Sequence, residues 1–161
     1  MKSLIIIPAY NEELNIGAVL EDIKAHVPDS DVVVINDGST DATGAIASGY
    51  GITVLSIPYN VGIGAAMQTG YRYALKKGYD IAIQFDGDGQ HRADQVAAIQ
   101  ESLLAGKGDL VVGSRFLGEK GYRPGLARHS GIKLLSWTVS LLTGYPITDP
   151  TSGFRAVNRK V

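Results

Sequence analysis

The sequence contains no cysteine, so neither a disulfide framework nor a thiolate metal site can form. No apolar run reaches the roughly 18 residues of a membrane-spanning helix. Residues 1–4 show no signal-peptide cleavage pattern and lead directly into a strand-like run. A net charge of −1 argues against broad nucleic-acid binding. Together these absences predict a cytoplasmic protein from a reducing compartment that does not bind nucleic acid.

The overall composition is typical of one globular domain. Hydrophobic residues make up 45% of the 161 residues and charged residues 19%, which is enough chain and apolar content for a sizeable core. We see no internal repeat, low-complexity segment or interdomain linker, so we predict a single domain over residues 1–161. Residues 158–161 lack a turn signal or cap, and we therefore expect the domain to be truncated at its C-terminus.

Short apolar runs alternate with helical patterns along the chain. The predicted strands are residues 3–7, 31–35, 52–57, 80–85 and 110–112. The predicted helices are one that Asn11 caps and Pro28 ends, a short one from about Asp41, and helices over 62–77, 92–104 and 127–143. Runs that are apolar throughout are typical of strands buried on both faces. With connections this short, the pattern predicts an α/β fold with a parallel sheet and right-handed crossovers.

Acidic side chains follow several of these strands. They are Glu12, Asp37, Asp86 and Asp88. The ends of parallel strands share one edge of a sheet, and ligands bind in the crevice outside that edge. Each residue alone could be a helix cap or a turn residue, which is the reading we favour for Asp41 and Asp94. For the four carboxylates together we predict a binding site that holds a cation or several donors.

The stretch Asp86-Gly87-Asp88-Gly89-Gln90-His91 carries the strongest chemical signal. In a bent chain, alternate carboxylates can converge on one hard cation, and Gly87 between them allows a ligand to approach closely. The amide oxygen of Gln90 can join them. Such oxygen ligands suit Mg²⁺ or Mn²⁺, which keep waters and share a substrate phosphate. The alternative is an ordinary polar turn, since Asp and Gly are common in turns for backbone reasons alone.

A basic cluster lies in the long loop over residues 113–125 and at the start of the helix that follows. Its members are Arg115, Lys120, Arg123, Arg128 and Lys133, against a single acid, Glu119. Long loops in compact domains are usually functional, and Arg can bind a phosphate oxygen pair in a bidentate manner. The cluster therefore indicates phosphate binding, with a solvated positive loop as the alternative, which we prefer for Lys120.

Six motifs occur in order along the chain. They are Pro8-Ala9-Tyr10-Asn11-Glu12, Asn36-Asp37-Gly38-Ser39-Thr40-Asp41, Asn60-x-Gly62-x-Gly64, Asp86-x-Asp88-Gly89-Gln90-His91, Gly113-Ser114-Arg115 and Asp149-x-x-Ser152-Gly153-Phe154-Arg155. In this order they resemble the family 2 glycosyltransferases of GT-A fold, and most of all the polyprenol-phosphate sugar transferases of the dolichol-phosphate mannose synthase type. The resemblance implies a three-layer α/β/α sandwich with a mainly parallel sheet.

The resemblance also implies a role for each candidate site residue. The nucleoside of a UDP- or GDP-sugar would be held by Pro8, Tyr10, Glu12 and Asp37, with Tyr10 against the base. The turn Asp86-Gly87-Asp88, together with Gln90, would bind Mg²⁺ or Mn²⁺ on the diphosphate. Arg115 would hold phosphate on the donor or acceptor side, and Asp149 occupies the position of the acceptor-side carboxylate. The implied catalytic residues are thus Asp149, Asp88 and Arg115.

The implied activity is inverting transfer of a sugar to an acceptor, which we expect to be polyprenyl (dolichyl or undecaprenyl) phosphate. A lipid phosphate is already ionised near neutral pH, so Asp149 would orient groups more than remove a proton. The broad apolar surface of residues 127–143 would then face the lipid or a following segment, with peripheral contact at the cytoplasmic face of a membrane; plain core packing is the alternative. Two other functions stay open: transfer to a soluble or cell-wall saccharide, and a non-catalytic nucleotide-binding domain.

Overall fold

The computed structural model describes residues 1–106, 108–114 and 126–161, and only the backbone of residues 126–132 and 134. Within these ranges it contains a sheet of six strands. The strands are β1 (Ser3–Ala9), β2 (Asp31–Asp37), β3 (Thr53–Ile57), β4 (Ile81–Gln84), β5 (Leu110–Val112) and β6 (Arg155–Asn158). The helices are α1 (Ile16–His26), α2 (Thr43–Gly49), α3 (Ile63–Lys77), α4 (Val96–Leu104) and α5 (Leu126–Thr143), with a 3₁₀ turn at Ala93–Gln95 before α4.

The sheet is mainly parallel, as the sequence predicts. Its strand order is β3-β2-β1-β4-β6-β5, and the pairings of β1 with β2, β1 with β4 and β2 with β3 are all parallel. Strand β6 runs antiparallel between β4 and β5. The strands predicted from the sequence do not include β6. Because β6 begins at the edge where β4 ends, it brings the turn that precedes it to the carboxyl edge of the sheet.

Helices cover both faces of the sheet, which accounts for the apolar strands. Ile5 and Ile7 of β1 pack in one core cluster with residues of α1 and α4. The alternate residues Leu4 and Ile6 pack in a second cluster with α3 on the opposite face. A Cβ added at Gly70 of α3 would lie 2.3 Å from Cγ2 of Ile6, so the glycine lets this helix lie directly on β1. The three-layer α/β/α arrangement is therefore confirmed.

The predicted start of the first helix is wrong. Helix α1 begins at Ile16, with Asn15 as the residue before it, and has no acidic residue in its first turn. Asn11 instead adopts a left-handed backbone with φ of 54°, a conformation that Asn tolerates better than most residues. The side chains of Asn11 and Glu13 bond the loop after β2, so residues 10–15 form a site loop rather than a helical turn.

Candidate active site

The carboxyl edge of the sheet gathers the side chains that the sequence singled out. Ala9 at the end of β1 pairs with Asn36 near the end of β2, which sets the loops after these strands side by side. On the other side of β1, Gln84 at the end of β4 pairs with Arg155 at the start of β6. Glu12, Asp37 and the 86–90 turn therefore lie at one edge, as predicted, and the turn that contains Asp149 lies at the same edge.

A network of hydrogen bonds joins the loop after β1 to the loop after β2. The backbone N–H of Thr40 donates to Oδ1 of Asn11 at 2.9 Å, and the N–H of Asn11 donates to Oγ of Ser39 at 3.0 Å. Glu13 is bonded in the same way, since its Oε2 accepts from the N–H of Ala42 at 3.0 Å. The two loops are thus one hydrogen-bonded unit, which we call the paired loops (residues 10–15 and 38–43).

Thr43 and Asp41 complete the paired loops. The buried Thr43 hydroxyl accepts the N–H of Glu12 at 2.7 Å and donates to Oδ1 of Asp41 at 2.5 Å. Desolvation by itself raises the pKa of Asp41, but hydrogen bonds from the side chain and main chain of Thr43 and from the main chain of Glu13 outweigh it and lower that pKa. Asp41 therefore favours its charged form, in which Oδ2 accepts the N–H of Glu13 across the loops and Oδ1 accepts the N–H of Thr43 in its own loop.

Asp37 holds the entrance to α3. Its side chain is only 3% exposed, and its two carboxylate oxygens accept the N–H groups of Val61 and Gly62, each at 2.9 Å. Gly38 touches the same segment, because an added Cβ would lie 2.4 Å from the carbonyl carbon of Tyr59. A carboxylate oxygen has two lone pairs, so Asp37 can still accept a bond from a nucleoside. That role stays a prediction. The structure shows in addition that Asp37 bonds the loop that leads into α3.

Tyr10 and Pro8 lie beside these loops in different environments. Tyr10 follows β1 directly and is 47% exposed, so it is accessible to a planar base. Pro8 is buried within the strand. Its carbonyl oxygen would be 3.2 Å from a Cβ on Gly87, which explains why the turn after β4 has a glycine there. The acidic turn therefore lies directly against the end of β1, from which the first of the paired loops continues.

The two carboxylates of the acidic turn have different surroundings. Oδ1 of Asp86 accepts from Nε2 of Gln84 at 3.2 Å, and Nε2 of His91 lies 3.4 Å from its Oδ2. Asp88 is exposed, and its Oδ1 accepts the N–H of Gln90 at 3.0 Å. Gln90 is also exposed. Asp86 is thus partly buried and bonded to protein, while Asp88 and Gln90 are exposed to solvent.

These oxygen ligands fit a hard cation for which the protein would supply only part of the coordination shell. Among the described residues, no three His, Cys, Asp or Glu side chains form a cluster able to enclose a metal ion. Two carboxylates at alternate positions and an amide oxygen can supply part of an oxygen shell. Mg²⁺ and Mn²⁺ sites of this kind fill the remaining positions with water and substrate phosphate. The residues present therefore fit such an ion together with a diphosphate.

The turn before β6 packs against Asp86. A Cβ on Gly153 would lie 2.3 Å from Oδ2 of Asp86, so only glycine allows this approach. Asp149, in the same turn, is 1% exposed, and its Oδ1 accepts from the hydroxyl of Thr151 at 3.0 Å. The structure therefore places the predicted acceptor-side carboxylate at the site edge but buried. Its role in the reaction stays a prediction.

Part of the predicted basic cluster cannot be compared with the structure. Arg115, Lys120 and Arg123 lie outside the described residues, and of Arg128 the structure describes only the backbone, within α5. Lys133 of α5 is exposed. The predicted phosphate-binding role of Arg115 therefore stays a prediction.

Three residues that support the site were not predicted from the sequence. Gln84 reads as part of an apolar strand, and Thr43 reads as an ordinary residue of a helix start. His91 belongs to the acidic stretch, but it is not among the ligands predicted there. A weak signal existed for Thr43, since Asp-x-Thr before a helix is a common local hydrogen-bonding pattern. The other two act through residues that only the fold brings together.

The chain matches a family model and resembles characterised proteins over nearly its whole length. Residues 4–161 match the model of glycosyl transferase family 2. The undecaprenyl-phosphate mannosyltransferase of Micrococcus luteus is 36% identical over 97% of this chain and 66% of that protein. The polyprenol monophosphomannose synthase of Mycolicibacterium smegmatis is 31% identical over 99% of this chain and 63% of that protein. The chain thus spans less than two thirds of the length of these relatives.

Solved structures agree with the sequence match. The glucosyl-3-phosphoglycerate synthase of Mycobacterium tuberculosis, crystallised with Mn²⁺, UDP and glucosyl-3-phosphoglycerate, superposes with a TM-score of 0.75. It is 27% identical, and the match covers 99% of this chain and 57% of that one. The predicted GT-A fold is therefore confirmed. Fold, motif order and family match agree, and the chain belongs to glycosyl transferase family 2.

Proposed function

We propose that this protein is a metal-dependent glycosyltransferase that moves a sugar from a nucleoside-diphosphate sugar to a polyprenyl phosphate. The observation that carries the proposal is the approach of Gly87, in the acidic turn at Asp86–Asp88, to Pro8 near the end of β1, the strand that leads directly into the paired loops. A nucleoside on the loops would project its diphosphate toward the two carboxylates. A divalent metal ion held by these residues would offset the charge of that diphosphate.

The donor's nucleoside would lie on the paired loops. The exposed Tyr10 ring can stack on the base, and Glu12 and Asp37 can accept from base or ribose groups. Because hydrogen bonds between the loops already fix their shape, little ordering would be needed on binding. The Mycobacterium tuberculosis neighbour was crystallised with UDP, which makes a uridine donor the first to test, with a guanosine donor as the alternative.

Asp86, Asp88 and Gln90 would hold Mg²⁺ or Mn²⁺ on the diphosphate. When bound, such an ion offsets the negative charge that builds up on the leaving diphosphate. Without it, the two carboxylates would repel the diphosphate, so donor binding should depend on the metal. The Mn²⁺ in the crystallised neighbour supports a divalent ion without deciding between the two.

Transfer would invert the configuration at the anomeric carbon. An acceptor oxygen attacks that carbon from the face opposite the diphosphate, forming one C–O bond while the bond to the diphosphate oxygen breaks. A polyprenyl phosphate oxygen is already ionised, so no proton has to be removed. Asp149 would then position the acceptor, which suits a carboxylate that is buried and bonded to Thr151. Arg115 would bind phosphate on the donor or acceptor side.

Helix α5 supports a lipid acceptor. Its described C-terminal part exposes large apolar side chains at Leu135, Trp137, Leu141 and Leu142. Hydrogen bonds from Ser136 to the carbonyl of Thr148 and from the N–H of Ile147 to Ser140 tie this helix to the segment that leads to Asp149. None of the helices in the described part of the chain is long and apolar enough to cross a membrane. We therefore propose peripheral contact, with the apolar surface of α5 against lipid.

The test is transfer of labelled sugar from UDP- and GDP-sugars, with Mn²⁺, to polyprenyl phosphate in detergent. We expect label in an organic-extractable product, and none when lipid phosphate or metal is omitted. Parallel reactions contain a soluble phosphorylated acceptor such as phosphoglycerate, because the structural neighbour is a glucosyl-3-phosphoglycerate synthase. Label found only in the soluble product would reject the lipid acceptor, and donor binding without any transfer would indicate a non-catalytic domain.

A further inference from the structure

The imidazole of His91 packs against two aromatic rings at the acidic turn. Its centroid lies 5.4 Å from that of Phe85 and 5.2 Å from that of Phe154, and its side chain is 9% exposed. Phe85 and Phe154 are themselves buried and in edge contact with each other. The three rings therefore form one cluster, which limits the movement of the His91 ring.

The His91 ring contacts both the main chain and the side chain of Asp86. Nδ1 of His91 accepts the backbone N–H of Asp86 at 2.9 Å. A nitrogen that accepts an N–H carries no proton, so the proton of the neutral ring is on Nε2. Nε2 lies 3.4 Å from Oδ2 of Asp86, which places this proton beside the carboxylate.

Two further groups restrict the same carboxylate. Nε2 of Gln84 donates to Oδ1 at 3.2 Å, and the backbone of Gly153 lies against Oδ2. Asp88 is exposed, and the donor to its Oδ1 is the nearby N–H of Gln90. The two carboxylates of the turn are therefore unlike: Asp86 is oriented before any ligand arrives, whereas Asp88 is open to solvent.

We propose that His91 is a positioning residue, which fixes the backbone and carboxylate of Asp86 so that Asp86 presents a set geometry to a divalent cation. The part of this inference that concerns the cation rests on the proposed function. Groups that orient a metal ligand typically change metal affinity by about 10- to 100-fold when they are replaced. A purely structural histidine would instead affect only the stability of the fold.

The test compares His91→Phe with His91→Asn. Phenylalanine keeps a ring packed against Phe85 and Phe154 but removes both nitrogens. Asparagine can return an acceptor near the position of Nδ1 without replacing Nε2. We expect His91→Phe to lower Mn²⁺ affinity in the presence of UDP by about tenfold or more in calorimetry, and to speed hydrogen exchange of the Asp86 amide. His91→Asn should restore the slow exchange and part of the affinity, and uridine binding without metal should be unchanged in both.

Phe154→Leu is the matched control, because it loosens the same ring packing and leaves the His91 nitrogens in place. If Phe154→Leu and His91→Phe lowered Mn²⁺ affinity equally, His91 would act only through packing and the proposal would be wrong. If His91→Phe does not fold, His91→Leu against His91→Asn makes the same comparison, because leucine also lacks both nitrogens. Failure of the unsubstituted protein to bind Mn²⁺ with UDP would reject the proposed function, while exchange of the Asp86 amide would still show whether His91 holds that residue.

Discussion

Single carboxylates at this site stabilise the loops on which the predicted ligand would lie. Asp37 is the clearest case, because both of its oxygens accept bonds from the backbone of the α3 loop, and it is also a predicted nucleoside ligand. Asp41 likewise joins two loops through its bonds with Thr43 and Glu13. Replacing either residue should therefore change both stability and ligand binding, and the two effects can be measured separately.

Asp37→Ala should weaken uridine and UDP to a similar extent. Its expected partner is the base or ribose, and the loss of its bonds to Val61 and Gly62 would also let the α3 loop move. Leaving these N–H groups unpaired should cost about 1–3 kcal/mol of the free energy of unfolding. Calorimetry with both ligands and urea denaturation measure the two effects. Loss of affinity for UDP alone would contradict the assignment to the nucleoside.

The lowered pKa of Asp41 predicts a stability that depends on pH in acid. The folded protein holds this pKa below its ordinary value of 3.8, so the charged form is stabilised by folding. That contribution is present above the ordinary value and is lost as the pH falls through the lower, folded value. Urea denaturation between about pH 2 and pH 5 should therefore show a shallower pH dependence in Asp41→Asn than in the unsubstituted protein. Parallel curves would contradict this.

At the scale of elements, the paired loops are the unit on which the nucleoside site depends. Thr43→Val keeps the shape of a buried side chain but removes the hydroxyl that bonds Glu12 and Asp41. We expect the free energy of unfolding to fall by about 1–3 kcal/mol, and uridine affinity to fall with it. Thr40→Val is the matched control: its hydroxyl is exposed and makes only a 3.4 Å contact, so its effect should stay within about 0.5 kcal/mol. Equal effects of the two variants would contradict the importance of the paired loops.

The sequence predicted most of the elements, because their signals are local. Apolar runs such as β1 and β2 and the apolar stripe of α1 follow directly from burial on one or two faces. The direction of β6 could not be predicted, since four residues carry no signal for their partners and only the fold places them between β4 and β5. The predicted start of α1 was wrong because Asn11 bonds the loop after β2 through its side chain, and this contact outweighed the preference of Asn for helix caps.

The positions of the candidate site residues were also predictable only in part. Acidic residues after strands were expected to meet at one edge, because the parallel topology requires it, and they do. The support of Asp86 by His91, Gln84 and Gly153 was not predictable, since Gly153 reaches it only through the antiparallel β6. Long-range contacts of this kind leave no period or spacing in the sequence.

For the whole molecule, the lipid-facing surface can be tested with the chain's own fluorophore. Trp137 is the only tryptophan in the sequence, and it is 63% exposed on α5. Vesicles that contain anionic lipid should shift its emission to shorter wavelength, because the indole would leave water. Leu142→Ser should weaken this binding several-fold. Leu104→Ser, an exposed leucine on α4, should not. Emission that is unchanged by vesicles would contradict the proposed contact.

The central claim is that a divalent cation at Asp86 and Asp88 binds a nucleoside diphosphate, and titration of UDP with and without Mn²⁺ tests it most directly. In the unsubstituted protein, Mn²⁺ should raise UDP affinity at least tenfold, a gain of about 1.4 kcal/mol. Asp88→Ala should abolish this gain and leave uridine binding intact. The control Asp29→Ala changes an exposed carboxylate in the turn before β2, at the opposite edge of the sheet, and should keep the gain. Equal UDP affinity with and without Mn²⁺ in the unsubstituted protein would contradict the account.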